Sequence, residues 1–342
     1  MADMIVDTPA LIEGLSEAAF VASDWRVLSA NAAARALLGG DIEGKALDSF
    51  ISHPAALEAL ERSGGDEAEE VELTGLDGSR RHWLMRTARL TDGACLVRFL
   101  DRSEARAAEQ MRVDFVANAS HELRTPLSTL IGYTETLREQ SDELDTATRE
   151  RFLSVVHDEA RRMQRVVEDL ISLSRIEAEK FTEPTDAVDL APLINSALGS
   201  LQRTADERGS ALVCAVDAGL PTVAGDASQL LQLLDNLVTN ALRYGEPGTP
   251  VIVSATAEGA MVHLAVADRG EGIPPEHVAR VTERFYRVDT GRSRSLGGTG
   301  LGLAIVKHIV ERHRGRLTID SVVGEGTTIH VLLPVPPGER LS

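Results

Sequence analysis

A histidine followed by a glutamate, His121-Glu122, lies within the run Asp114-Phe115-Val116-Ala117-Asn118-Ala119-Ser120-His121-Glu122-Leu123-Arg124-Thr125-Pro126-Leu127. Asp114, Asn118, His121 and Thr125 are spaced four, three and four apart, which puts them on one polar stripe of a helix. Val116, Leu123, Leu130 and Leu137 recur every seven residues, beside a second row of Val113, Ser120, Leu127 and Thr134. His121 therefore falls outside the apolar seam and faces water. An exposed imidazole can act as a nucleophile, and an adjacent carboxylate can take or orient its ring proton. Pro126 removes a backbone hydrogen bond one turn later and loosens the helix just after the histidine. On its own, a His-Glu pair on a helix reads as a solvated face.

A second set of residues suits a phosphate-bearing ligand. In Asp235-Asn236-Leu237-Val238-Thr239-Asn240-Ala241-Leu242-Arg243-Tyr244, Asn236 and Asn240 are one turn apart, so two amide oxygens line one helix face and could reach a magnesium ion or its waters. Arg243 can neutralise phosphate charge and Tyr244 offers a ring to a base. Asp268-Arg269-Gly270-Glu271-Gly272-Ile273 follows an apolar strand; its carboxylate can accept from an adenine amino group, and its glycines allow close backbone approach. Glu283-Arg284-Phe285-Tyr286-Arg287 precedes a stretch rich in Gly, Ser and Arg that reads as a lid with cationic tips, Arg292 and Arg294 among them. Gly297-Gly298-Thr299-Gly300-Leu301-Gly302-Leu303 runs into a helix, where backbone N–H groups suit phosphate oxygens. Gly324-Glu325-Gly326-Thr327-Thr328 completes the set. There is no G-x-x-x-x-G-K-[ST] loop, so any nucleotide is held another way.

The run around His121 resembles the H-box of sensor histidine kinases, and the five stretches in this order resemble the N, G1, F, G2 and G3 boxes of the same family's ATP domain, with its Bergerat fold. The resemblance implies that His121 accepts the γ-phosphoryl group of ATP, that Glu122 acts as base, and that Thr125 positions water for dephosphorylating a partner. It implies that Asn240 and Asn236 serve Mg2+, that Asp268 reads adenine, that Tyr244 stacks, and that Arg243 and Arg287 meet phosphates. Gly270, Gly272, Gly298, Gly300 and Gly302 shape the backbone there, with Thr299, Leu301 and Thr327 beside them. The string from Thr282 to Leu317, together with Ser52-His53-Pro54 to Leu60, looks most like phosphate-regulon sensor kinases. Thr282 departs from the phenylalanine many members carry. Asp226 to Gln229 also looks like a motif, but a capping box opening the Asn-bearing helix explains it.

The elements that must hold these residues form a multidomain α+β chain. Residues 1–101 read as a PAS-like sensory domain: strands at 18–22, 25–28, 68–73, 82–90 and 94–100, and a helix at 31–38 ended by Gly39-Gly40. Residues 102–183 read as two long helices broken at Ser141-Asp142-Glu143, an antiparallel hairpin whose second helix carries Val156, Met163, Leu170, Val166 and Leu173. Two such hairpins would bury their seams as a dimeric four-helix bundle. Residues 184–337 alternate helix and strand as an α/β sandwich, with 338–342 as a tail. The segment 181–185, with Pro184, is the expected hinge.

Composition narrows the alternatives. The chain of 342 residues has a net charge of −18, half of it within residues 1–101. That balance argues against unspecific binding to nucleic acid or an anionic membrane. No stretch approaches the ~18 consecutive apolar residues of a membrane span, and Met1-Ala2-Asp3-Met4 carry an acid where a secretory signal would carry basic residues. The expectation is a cytoplasmic protein, membrane-associated if an anchor is missing or a membrane partner recruits it. Cys95 and Cys214 read as small core residues in apolar strands. The expected partners are a second copy and the receiver domain of a response regulator. A phosphatase-dominant sensor keeps the same fold with Thr125 as key residue. An ATP-driven clamp of the same nucleotide fold would need no histidine on a dimerising helix.

Overall fold

The structure is a computed structural model and describes residues 8–62, 69–76, 78–90, 93–140, 144–179, 182–288 and 298–336. The expected helix break at 141–143, the residues of the lid from 289 to 297 and the tail lie outside them. The chain divides into two compact units, Met1–Asp114 and Phe115–Ser342.

In the first unit, strands β1 (Ala18–Ser23), β2 (Arg26–Ala30), β3 (Glu69–Thr74), β4 (His82–Arg89) and β5 (Cys95–Asp101) form an antiparallel sheet in the order β2-β1-β5-β4-β3. Helices α1 (Thr8–Glu13), α2 (Ala32–Leu37) and α3 (Pro54–Arg62) accompany it. Asn31 is the pin of this unit. Its Oδ1 accepts from Ala34 N at 2.8 Å, capping α2, and from Ala19 N at 3.0 Å, while its amide donates to carbonyls of Ile12, Leu15 and Glu17. A buried amide satisfied at every position fixes the entry to α2. The nine-residue helix α3 carries Ala56, Ala59 and Leu60 into the core, too short an amphipathic segment to stand out by periodicity.

Helix α4 (Ser103–Glu139) holds Pro126 without breaking, and α5 (Thr146–Ala178) opens on Asp145, whose carboxylate accepts from Thr148 N at 2.6 Å. The rings of Tyr133 and Phe152 meet at 4.9 Å, which sets the antiparallel hairpin. Along α4 the apolar seam lies open: Val116 is 60% exposed and Leu127 46%.

The rest of the second unit is an α/β sandwich. Its sheet runs β11-β12-β10-β9-β7, built from β7 (Leu212–Val216), β9 (Val251–Glu258), β10 (Met261–Asp268), β11 (Arg316–Val322) and β12 (Gly326–Pro334); only β7 and β9 pair in parallel. Helices α6 (Leu190–Glu207), α7 (Ala227–Tyr244) and α9 (Gly302–Arg312) bury one common core with Val253, Val262, Leu264, Val266, Ile329 and Val331, and Leu173 and Ile176 of α5 enter the same core. A short helix α8 spans Pro275–Val278. The pair β6 (Ala187–Val188) and β8 (Val223–Ala224) has two residues a strand, below the length at which alternation shows.

Two details differ from the sequence reading. Cys214 is exposed rather than a core residue, because β7 is the edge strand and its middle residues face out; Cys95 is half-buried. The Asp226 cap forms, accepting from Ser228 N at 2.9 Å and Gln229 N at 3.2 Å, but Gln229 does not return the bond. The Asp226 N–H is taken instead by Nε2 of the buried His313 at 3.0 Å.

Candidate functional site

A cavity of about 440 Å³ opens between α7, the end of β10, the start of β12 and the loop before α9, with α5 as its further wall. The sequence places its lining residues for simple reasons. On α7, Leu230, Leu233, Leu234, Leu237, Val238 and Ala241 are buried, so Asn236, Asn240 and Arg243, spaced four and three apart, form the stripe left to face the cavity. On β10, Val262, Leu264 and Val266 point into the core, and Asp268 is the next residue of that period-two series. It faces the same side, under the end of α7, at a cavity wall.

Of the expected site residues, Asn236, Asn240, Arg243, Tyr244, Asp268, Gly272, Arg287, Gly298, Thr299, Gly300, Gly302 and Thr327 all line this one cavity. Gly270 and Leu301 sit behind it. Gly270 pairs with Gly245, and a Cβ there would lie 2.2 Å from the Tyr244 carbonyl oxygen, so no side chain fits. Leu301 is fully buried in the core beneath the loop. At Gly302 a Cβ would stand 3.0 Å from Asn236 Oδ1. His121, Glu122 and Thr125 are on α4, outside the lining.

Burial shapes the chemistry of these groups. Asp268 has its pKa pushed up to about 6 by desolvation, with N–H bonds from Thr327 and Gly270 pulling the other way. It is a carboxylate that holds its charge at neutral pH and loses it under mild acid. Asn236 donates its amide to Gln232 O at 3.0 Å, which leaves its Oδ1 as the group available to a cation. Arg243 is desolvated, lowering its pKa from the usual guanidinium range, with Tyr244 and Asp169 opposing that. Half-buried amide oxygens and guanidiniums facing one cavity fit a nucleotide phosphate and its metal ion.

The cavity also contains residues that sequence reasoning missed. Arg165, Glu168 and Asp169 come from α5, and Gln232 and Asp235 from α7. Asp169 accepts from Thr299 Oγ1 at 2.8 Å and Ser172 donates to Gln232 at 2.7 Å, so the helical hairpin closes the cavity's rim. No local spacing on α5 separates these side chains from an ordinary solvated face. Phe285 reaches back to Phe115 with ring centroids 5.9 Å apart and donates its backbone N–H to Gly300 O at 2.7 Å. Arg284 forms an ion pair with Glu177.

One contact links the cavity to the histidine pair. Arg287, whose side chain is 5% exposed, donates to Glu122 Oε2 at 3.1 Å and to the Gly298 carbonyl. Arg162 of α5 donates to the same oxygen at 3.0 Å. Glu122 is thus gripped by two guanidiniums, while His121 and Thr125 remain exposed and the Thr125 hydroxyl turns back to the His121 carbonyl at 3.3 Å. Of the expected hinge, Phe181 lies outside the described residues; Glu183 pairs with Arg314 at 2.6 Å, and Glu179, just before it, with Arg312 at 2.8 Å.

Comparison with known proteins agrees with this geometry. Residues 111–179 match the His Kinase A (phospho-acceptor) domain, and residues 225–337 match the histidine kinase-, DNA gyrase B- and HSP90-like ATPase family. The chain is 36% identical over 287 residues to the phosphate regulon sensor protein PhoR of Pseudomonas aeruginosa, covering 83% of this chain and 63% of that protein. It is 38% identical over 288 residues to the sensor-like histidine kinase SenX3 of Mycobacterium tuberculosis, covering 82% and 68%. The chain therefore spans about two thirds of the length of these curated relatives. A crystal structure of the histidine kinase ThkA, in complex with the response regulator protein TrrA, shares the fold with a TM-score of 0.55 at 18% identity, over 97% of this chain and 99% of that one. A phospho-acceptor helical hairpin joined to an ATPase sandwich, with relatives of this likeness, shows that the chain belongs to the sensor histidine kinases of two-component systems.

Proposed function

We propose that this chain phosphorylates itself on His121 from Mg-ATP and passes the phosphoryl group to an aspartate on the receiver domain of a response regulator. The observation that carries the reading is Arg287, which lines the cavity and bonds the residue next to His121. In this reading Asp268 accepts from the adenine amino group, Tyr244 stacks on the base, and Arg243 and Arg287 meet phosphates. Asn240 and Asn236 would hold Mg2+, which supplies charge neutralisation between the phosphates. Phosphoryl transfer asks the protein mainly for positioning and electrostatics. His121 supplies the nitrogen that meets the γ-phosphorus, and Glu122 takes the ring proton. Because Arg287 of the ATPase part is bonded to Glu122, the transfer state requires the ATPase part to move on the hairpin.

The apolar row on α4 supports a homodimer in which two hairpins form a four-helix bundle. The five-stranded sheet of the first unit supports a PAS-type sensory role. The similarity to PhoR supports phosphate-limitation signalling. Among the described residues no helix is long and apolar enough to cross a membrane. Dephosphorylation of the partner is a further activity of the same site, with Thr125 exposed one turn from His121.

The test is a two-stage assay with γ-labelled ATP and Mg2+. Label should appear on this chain and then move to a cognate receiver domain, and a receiver with its acceptor Asp replaced by Asn should leave the label in place. Label that reaches the receiver without passing through this chain would refute the reading.

A further inference from the structure

Arg162 is a buried arginine, 6% exposed, in the middle of α5. Arginine is seldom buried to this degree unless a partner holds it. Its Nη2 lies 3.0 Å from Glu122 Oε2, whereas its other carboxylate neighbour, Glu159, stands 3.9 Å from Nη1, beyond hydrogen-bond reach. Glu122 is therefore its principal partner. The Nε of Arg162 is buried with no hydrogen-bond partner among the described residues, which costs stability.

The two guanidiniums on Glu122 Oε2 differ in where they come from. Arg287 belongs to the ATPase part, close to the glycine-rich loop through the Gly298 carbonyl. Arg162 belongs to the hairpin that carries His121 itself. Any motion of the ATPase part on the hairpin moves Arg287 relative to Glu122 and leaves Arg162 in place.

We propose that Arg162 is the positioning residue for Glu122: it holds the carboxylate beside His121 when the ATPase part moves and takes Arg287 with it. The inference rests on the reading of His121 as phosphoacceptor. In that step one ring nitrogen forms the N–P bond, the proton on the other passes to Glu122, and the P–O bond to ADP breaks with its electron pair leaving on ADP. A carboxylate free to swing would lose the alignment that proton transfer needs, and misplacement of about 1 Å can cost roughly 100-fold in rate. A planar guanidinium fixes a carboxylate better than an ammonium does.

The experiment compares the full chain with Arg162→Gln, Arg162→Lys, Glu122→Gln and the Arg162→Gln/Glu122→Gln pair, measuring initial rates of His121 labelling over a range of ATP concentrations. Arg162→Gln should lower kcat by about tenfold or more with KM for ATP within about twofold of wild type. Arg162→Lys should fall between. In the Glu122→Gln background the same change should have no further effect on kcat, because Arg162 acts only through Glu122. Equal losses in both backgrounds, or a raised KM with kcat unchanged, overturn the proposal. So does loss of the thermal unfolding transition in both Arg162 variants, which would assign the residue to stability alone. A wild-type chain that takes no label on His121 overturns the phosphoacceptor reading itself, an outcome distinct from labelled wild type with equal losses.

Discussion

Thr299, in the glycine-rich loop that opens α9, donates its hydroxyl hydrogen to Asp169 of α5 at 2.8 Å. The same hydroxyl oxygen accepts from Leu301 N at 3.2 Å, so one side chain braces the residue just before α9 and ties the loop to the helical hairpin. Burial raises the Asp169 pKa, while the Thr299 bond and the guanidiniums of Arg165 and Arg243 pull it back. A carboxylate thereby stands at the wall of the cavity proposed for phosphates.

Replacing Asp169 by Asn keeps an acceptor for Thr299 and removes the charge. The expected result is a gain in ATP affinity of roughly fivefold, about 1 kcal/mol, with adenosine affinity unchanged because it bears no phosphate to be repelled. Fluorescent-nucleotide displacement measures both. Equal changes for ATP and adenosine would mean that the carboxylate acts through loop geometry instead.

Asp268, with a pKa of about 6, should make adenine recognition acid-sensitive. Above that value the carboxylate accepts from the amino group; below it, nucleotide affinity should fall about tenfold per pH unit. The stability sign is opposite. An acid whose pKa rises on folding costs stability once the pH exceeds its unfolded value. Asp268→Asn should therefore raise the melting temperature of the unliganded chain by a few degrees at pH 7.5, on the order of 1 kcal/mol after screening, and hardly at all at pH 4. Nucleotide affinity at pH 7.5 should drop in the same variant. Calorimetry at the two pH values checks both signs.

Gly270→Ala places a Cβ 2.2 Å from the Tyr244 carbonyl oxygen, and the obstacle is backbone. The bridge between Gly245 and Gly270 should open at a cost of about 1–3 kcal/mol, carrying Tyr244 and Asp268 out of place. Nucleotide binding should weaken more than the melting temperature suggests. A variant that binds nucleotide as wild type does would show that this corner adapts.

His313 is 2% exposed and its pKa lies below the ordinary value, chiefly because burial disfavours the cation. Its Nδ1 faces the Ile309 carbonyl at 2.8 Å and its Nε2 accepts from Asp226 N, an arrangement for the neutral ring. As pH falls through about 6.5 the unfolded chain takes up a proton that the folded chain refuses, so stability declines from there downward. His313→Leu should lose about 1–3 kcal/mol at pH 7.5 by orphaning the Asp226 N–H, and should show a shallower loss between pH 7 and 5. Urea unfolding across that range measures the slope.

Much of this architecture could be read before the fold was known, for local reasons. Asn236, Asn240 and Arg243 share one helix, where burial of the leucines between them dictates which side they show. Asp268 continues the alternation of an apolar strand. The residues that escaped notice depend on contacts far apart in the chain. Arg162, Arg165 and Asp169 sit in a run of charged side chains on α5 that reads as a wet helix face; only the packing of α4 beside it gives Arg162 its partner Glu122, and only the Thr299 loop gives Asp169 its hydroxyl donor. His313 stands 87 residues from the N–H that it accepts. Cys214 was misread because strand composition does not reveal which strand is the edge.

The account's central claim is that the cavity charges His121. Intact-mass and γ-label measurements on wild type and His121→Gln, each with Mg-ATP and with nucleotide binding measured in parallel, test it most directly. Wild type should gain one acid-labile, alkali-stable phosphoryl group per chain at most, and His121→Gln should bind ATP as tightly but gain none. Label of the same stability on His121→Gln would contradict the claim.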